Sequence, residues 1–169
     1  MITKTLAVGS WSEGSTRDQD IAEAILDMAS SVGIEYDESI VISGETDFDY
    51  VARWLAHFND HEGEPCAGET AGDHFRACPL DDGLFMDGAM SALDEYAPIY
   101  CYVGMVEGDG ANFGVWPAHD SIEEAIRTGE RVDDETVINH EDGVRIHTSD
   151  HGNVEVYSLD SSESLLALA

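Results

Sequence analysis

The chain has 169 residues, 43% of them hydrophobic, and its 36 Asp and Glu against 7 Lys and Arg give a formal net charge of -29. This length fits one domain or two very small ones, and the ordinary hydrophobic content excludes intrinsic disorder, which combines high charge with low hydrophobicity. So negative a surface repels phosphate groups and excludes direct binding of nucleic acid.

The first elements in chain order are a short strand and an amphipathic helix. Residues 2–8 predict the strand. Thr16 followed by Gln19 matches a capping box that opens the helix, and Gly33 is a suitable stop. The apolar face of this helix consists of Ile21, Ala24, Ile25 and Met28 at helical spacing.

A buried strand and a second helix follow, before the pattern breaks. Residues 38–43 predict the strand, and Asp47 or Asp49 caps the helix. Its apolar face consists of Val51, Trp54, Leu55 and Phe58. Residues 61–82, rich in Gly, Pro and acids without a clear period, predict a long loop or a linker between lobes.

The middle of the chain predicts a helix, a hairpin and another helix. Residues 84–95 form the first helix, and Ile99 to Val106 pairs with Asn112 to Trp116 across a glycine-rich turn. Ser121 with Glu124 is a second capping box. The helix that it opens ends at Gly129.

The C-terminal part predicts β-structure throughout. Four short segments alternate or run apolar, with turns at 141–143 and 150–153: Thr136–His140, Val144–Thr148, Val154–Leu159 and Leu165–Leu168. The predicted fold class is α+β, with N-terminal helices and a C-terminal antiparallel sheet. The predicted division is an N-terminal lobe over 1–60, the linker over 61–82 and a β-rich lobe over 83–169.

Candidate metal ligands are most concentrated around the predicted linker. They are His57, His61, Cys66, His74 and Cys78. Their spacing matches no zinc module, and so many acids attract cations without a designed site. We therefore predict neither a metal nor another cofactor.

Catalytic patterns are weak throughout. Paired carboxylates arise by chance among so many acids and are typical of a solvated face. The turn Glu107 to Gly110 lacks the order of a calcium loop; Gly108 and Gly110 supply positive φ there, and Asp109 bonds its own backbone. The segment Asp150 to Asn153 contains a histidine that could act in a hydrolase, but the chain has no Gly-x-Ser-x-Gly nucleophile elbow. These patterns predict that the protein is not an enzyme.

The sequence also favours the cytoplasm. No stretch of 18 apolar residues predicts a membrane span. The three cysteines are an odd number without CxxC spacing, which is typical of free thiols in a reducing compartment.

Two segments resemble a family of small accessory proteins of bacterial plasmids and phages. They are Tyr102 to Pro117 and Asp150 to Tyr157. The resemblance implies a shared β-rich lobe and an origin on a mobile element, and it carries over no catalytic residue. In charge and size alone, the chain is also similar to phage and plasmid proteins that block restriction enzymes or CRISPR effectors.

The first functional hypothesis is a nucleic-acid mimic that inhibits a host defence enzyme. Rows of carboxylates would occupy the basic groove of a nucleic-acid-binding protein, such as a CRISPR effector or a restriction enzyme. The candidate partner-binding acids are Asp18, Asp20, Glu23, Asp27, Glu35, Glu62, Glu64, Glu69, Glu130, Asp133, Asp134 and Glu135.

The alternative is a halophile-type domain whose acidity is an adaptation to salt and whose role is small-molecule binding or catalysis. Lys4 is the single lysine, which agrees with this hypothesis. Arginine is scarce too, whereas a protein adapted only to salt would still use arginine for ion pairs, so the sequence favours the mimic. The distribution of acids in space separates the two, and the oligomeric state is left open.

Overall fold

A computed structural model of the protein describes residues 4–14, 17–37, 46–60, 84–151, 153–160 and 164–168. These residues form the helices α1 Asp18–Val32, α2 Asp47–Asp60, α3 Leu84–Asp94 and α4 His119–Thr128. The strands are β1 Gly9–Ser12, β2 Cys101–Val106, β3 Asp109–Pro117, β4 Glu130–Arg131, β5 Thr136–Asn139, β6 Val144–Thr148, β7 Val154–Ser158 and β8 Ser164–Leu168. Helices come mostly first and strands mostly last, so the α+β prediction is confirmed.

The chain divides into two compact units. The N-terminal unit comprises Met1–Ala97 with Val103–Trp116, and the C-terminal unit comprises Pro98–Tyr102 with Pro117–Ala169. The hairpin of β2 and β3 therefore belongs largely to the N-terminal unit. The predicted linker at 61–82 and the predicted strand at 38–43 lie outside the described residues.

The described part of the N-terminal unit combines three helices with a three-stranded sheet in the order β1-β3-β2. Its core includes Ile25, Met28, Val51, Leu93 and Phe113, whose side chains are fully buried. The apolar positions predicted on α1 are all buried, and Gly33 ends this helix in the left-handed conformation with φ of 86°.

The C-terminal unit is an antiparallel sheet in the order β4-β5-β6-β7-β8 with α4 on one face. Residues along the strands alternate between the two faces. One face packs with Ile122 and Ala125 of α4 through Val144, Ile146, Val156 and Leu166. The predicted boundaries of β5 to β8 are correct to within one residue; the two-residue strand β4 was not predicted.

The first strand lies later than predicted. Residues 4–8 form no strand, and β1 begins at Gly9, which pairs with Val115 of β3. The preceding apolar residue Leu6 is instead buried, with its N–H donated to the carbonyl of Tyr96 at 2.8 Å. The strand forms where a partner strand is available, whereas Leu6 is held by a loop.

The predicted N-terminal caps are wrong at two helices. For α2, Thr46 and not Asp47 or Asp49 is the cap: its Oγ1 accepts the N–H of Asp49 at 3.2 Å, while the Asp49 carboxylate accepts the N–H of Thr46 at 2.8 Å. For α4, the cap is Ala118, and Ser121 lies inside the first turn.

The reason for the early start of α4 is a long-range hydrogen bond. The N–H of Ala118 donates to the carbonyl of Tyr100 at 2.7 Å and fixes the chain there. At α1 the cap position is Arg17, without a side-chain cap, and Thr16 lies outside the described residues. Gly129 ends α4 with an extended backbone.

The hairpin between β2 and β3 turns on two residues, Glu107 and Gly108. Gly108 has a φ of 83°, as predicted. Gly110 lies inside β3 without a positive φ, so the prediction for it is wrong because the turn is shorter than expected. Asp109 does bond its own backbone, since its Oδ1 accepts the N–H of Ala111 at 3.1 Å.

Candidate interaction surfaces

Acidic side chains occur on every described helix and in most described turns, in both units. Among the described acids, Asp49 is the buried exception at 8% exposure, and the others are exposed or half-buried. Burial alone would raise the pKa of Asp49, but hydrogen bonds from Thr46 and Asp37 and the positive charge of Arg53 bring that pKa below its usual value.

A short acidic row runs along α1, and we call it the α1 stripe: Asp20, Glu23 and Asp27. These positions share one helix face because they are three and four residues apart. With a rise of about 1.5 Å per residue, the row is about 10.5 Å long and carries one charge per about 5 Å. A single DNA strand carries one charge per about 3.4 Å of axis, so the stripe is sparser than the polymer that it would imitate.

An open groove adjoins the α1 stripe. It has a volume of about 660 Å³ and is lined by the stripe together with Glu13, Trp11 and Arg17. Arg17 donates two hydrogen bonds to the carboxylate of Asp20, at 2.9 and 2.8 Å. This pair cancels one of the negative charges within the row.

The other acids predicted around α1 lie apart from the stripe. Asp18 is in the first turn of the helix, about 140–180° around the axis from Asp20, Glu23 and Asp27 at about 100° per residue. Glu35 follows Gly33, beyond the end of the helix. The helix therefore does not gather its five predicted acids into one line.

Among the acids of residues 130–135, Glu130 lies in β4, and the others lie in the turn that joins β4 to β5. Asp133 accepts the N–H of Glu135 at 2.9 Å, and this bond, with others from Thr136, lowers the pKa of Asp133. Arg131 lies among these acids and donates to the carbonyl of Asp134 at 3.1 Å. Glu130 and His140 are 3.2 Å apart. The Arg131 guanidinium and the hydrogen bonds of the turn thus interrupt this acidic segment.

Several predicted residues lie outside the description. These are the acids Glu62, Glu64 and Glu69 and the candidate ligands His61, Cys66, His74 and Cys78. His57 lies in α2, and nothing is described of its side chain. In the described part of the chain, no group of three or more His, Cys, Asp and Glu could hold a metal ion. No helix among the same residues is long and apolar enough to cross a membrane.

The basic residues separate into paired and unpaired ones. Arg127 donates to Glu124 within α4, and Arg17 pairs with Asp20. Arg145 forms no ion pair with any carboxylate in the described ranges. Its guanidinium instead lies over the ring of Tyr157, 5.0 Å from the centroid.

Arg145 belongs to the outward face of the C-terminal sheet, which sequence reasoning missed. The register places Arg145 between Ile138 and Tyr157, and His147 between Thr136 and Glu155. We call these six residues the open sheet face. The alternation Val144, Arg145, Ile146, His147 was visible in the sequence, but the cross-strand neighbours depend on the register.

His151, in the turn after β6, is largely exposed to solvent. His151 and Asp150 are 3.6 Å apart, with side chains 84% and 76% exposed. A catalytic base needs a positioned partner and a site that limits water. This arrangement favours a solvated turn.

Comparison with known proteins returns no matching family model, no similar curated protein and no similar solved structure. The resemblance of Tyr102 to Pro117 and Asp150 to Tyr157 to mobile-element proteins therefore stays a prediction.

Proposed function

We propose that the protein is a salt-adapted binding domain, which works in a cytoplasm of high ionic strength and uses its acidity to stay folded and dissolved there. Cys101 is a free thiol, in agreement with a reducing compartment. Self-repulsion of so negative a chain is relieved by salt, because the Debye length shrinks from about 10 Å at 0.1 M to about 3 Å at 1 M.

The observation that carries this proposal is the dispersal of the acids. They lie on the exposed sides of α1, α3 and α4 and in the turns of the C-terminal sheet, in both units. The basic residues support it as well, since Arg17 and Arg127 form the local ion pairs expected of a protein adapted to salt. A charge directed at one partner has no need to cover every element.

The test is the free energy of unfolding as a function of KCl concentration, followed by circular dichroism from dilute buffer to 3 M. We expect stability to rise steeply into the molar range and the fold to be lost in dilute buffer. A protein that is equally stable across the whole series would contradict the proposal.

A second proposal, the nucleic-acid mimic, is favoured by one local feature. The α1 stripe and Glu13 line the same groove, which concentrates carboxylates on one side of the N-terminal unit. If this groove imitates a nucleic acid, the protein binds a basic nucleic-acid-binding enzyme at physiological salt and loses that partner as salt rises. Affinity capture on host nucleases and CRISPR complexes, with Glu23→Gln/Asp27→Asn as the matched variant, tests it. Recovery of no such enzyme, or equal recovery by the variant, counts against mimicry.

A further inference from the structure

The open sheet face lines a groove of about 630 Å³ in the C-terminal unit. Val132 and Asp133 complete its lining, and Val132 is 57% exposed, the largest value among the large hydrophobic residues that the structure describes. Ile138 and Tyr157 are half-buried beside it. The groove thus combines apolar surface with a guanidinium, an imidazole and carboxylates.

Each carboxylate that lines this groove already accepts a hydrogen bond. Glu155 accepts a hydrogen bond from the hydroxyl of Tyr157 at 2.9 Å. Asp133 accepts the N–H of Glu135 at 2.9 Å. Glu135, close by in the same turn, has its Oε2 4.0 Å from Nε2 of His147.

Arg145 is the opposite case. Among the described residues its guanidinium N–H groups have no acceptor, and the partner of the guanidinium is the ring of Tyr157, which it contacts by a cation–π interaction. An arginine held flat in this way presents a fork of parallel N–H groups that matches a carboxylate. In a chain with 36 acids, an arginine without a carboxylate partner is available for one from outside.

We propose that the open sheet face binds a small carboxylate with a flat apolar body. The carboxylate takes the Arg145 fork, and the apolar body lies against Val132 and Ile138. This inference rests on the proposed salt adaptation, because molar salt reduces the Debye length to about 3 Å and so screens the surrounding acids, while a direct bidentate contact persists.

Benzoate is a suitable probe, with benzamide and benzylamine as neutral and cationic compounds of similar shape. Chemical shifts of the backbone amides, recorded by NMR in 3 M KCl, report both affinity and location. We expect benzoate alone to saturate, with shifts centred on β5, β6 and β7. Arg145→Gln weakens benzoate binding by about tenfold or more, since it removes a charge-assisted pair of hydrogen bonds.

Matched variants keep the outcome interpretable. Arg127→Gln removes an exposed arginine from the same unit and leaves benzoate affinity unchanged. Arg145→Lys keeps the charge without the fork and binds with intermediate affinity. The amide spectrum of Arg145→Gln without benzoate shows whether this variant keeps the fold, which separates loss of the site from loss of the fold.

Four results overturn the inference: no saturable shift with benzoate, equal shifts with benzamide, preference for benzylamine, or full binding by Arg145→Gln. Failure of the salt adaptation has a different signature. A protein that is stable in dilute buffer refutes the adaptation, and benzoate binding is then measured there. A protein that needs salt to fold and still ignores benzoate refutes the ligand alone.

Discussion

Replacing Asp49 by Ala tests how the N-terminal unit fixes the start of α2. The Asp49 carboxylate accepts hydrogen bonds from the N–H of Asp37 at 2.7 Å, from the N–H of Thr46 at 2.8 Å and from Oγ1 of Thr46 at 2.7 Å. One group thus joins the segment after α1 to the cap of α2.

The size of the effect follows from these bonds. Each hydrogen bond to a charged group stabilises by about 1.5–3 kcal/mol, and a lost cap costs about 1 kcal/mol. Asp37 and Thr46 are themselves exposed, so water replaces part of what they lose. We expect Asp49→Ala to lower the free energy of unfolding by about 2–3 kcal/mol, or about 5–10 °C in melting temperature for a chain of this size.

The pH dependence has a definite sign. The folded pKa of Asp49 is lowered, so its stabilisation is complete above the unfolded pKa, near 4, and is lost as pH falls through the folded pKa. The gap between wild type and Asp49→Asn is therefore largest near neutral pH and shrinks in acid.

Thermal melts in 3 M KCl, from neutral pH to pH 2, measure this gap. Asp18→Asn, which removes an exposed first-turn acid from α1, is the matched control and changes the melting temperature little. A loss under about 0.5 kcal/mol for Asp49→Ala, the range of ordinary surface changes, would refute the reasoning.

Two further predictions concern the N-terminal sheet and a thiol. A Cβ at Gly114 would clash with the carbonyl oxygen of Gly9, whereas one at Gly110 would meet nothing within 4 Å. We therefore expect Gly114→Ala to lower the free energy of unfolding by about 1–3 kcal/mol in chemical denaturation, and Gly110→Ala to leave it unchanged. Equal stability of the two variants would contradict the pairing of β1 with β3. Burial raises the pKa of the Cys101 thiol to about 11. At pH 8, iodoacetamide should therefore alkylate this thiol roughly a hundredfold more slowly in the native protein than after denaturation, as measured by peptide mass spectrometry. Similar rates in the two states would contradict the burial of Cys101.

The sequence predicted those elements whose signal is local. Strands β5 to β8 alternate between apolar and polar positions or run apolar. Turns separate them, one with Gly143 at a φ of 68°, so each boundary could be read from a few neighbouring residues. The apolar face of α1 was equally clear from its spacing. Such patterns need no knowledge of distant contacts.

Some errors occur where distant residues decide. The start of α4 depends on the bond between Ala118 and Tyr100, which leaves no sign in the local sequence. The cap of α2 is a local signal that was overlooked, since Thr46 and Asp49 are three residues apart, and only its link to Asp37 is distant.

The candidate surfaces were predictable only in part. Composition identified the acidity, but the sequence analysis did not separate the α1 stripe from Asp18 and Glu35. Composition contains no information on dispersal, and the open sheet face requires the register that brings Ile138, Arg145 and Tyr157 together.

The central claim is that the acids act together, through a self-repulsion that salt relieves. The salt dependence of folding in two charge-neutralised variants tests this claim most directly. Glu13→Gln/Glu23→Gln/Asp27→Asn removes acids from the α1 groove, and Glu107→Gln/Glu123→Gln/Glu141→Gln removes the same number from separate elements. The measurement is the KCl concentration at which half of the protein is folded. We predict that both variants lower it by the same amount and reach the stability of the wild type above 1 M. A change confined to the groove variant, or no change in either, would contradict the account.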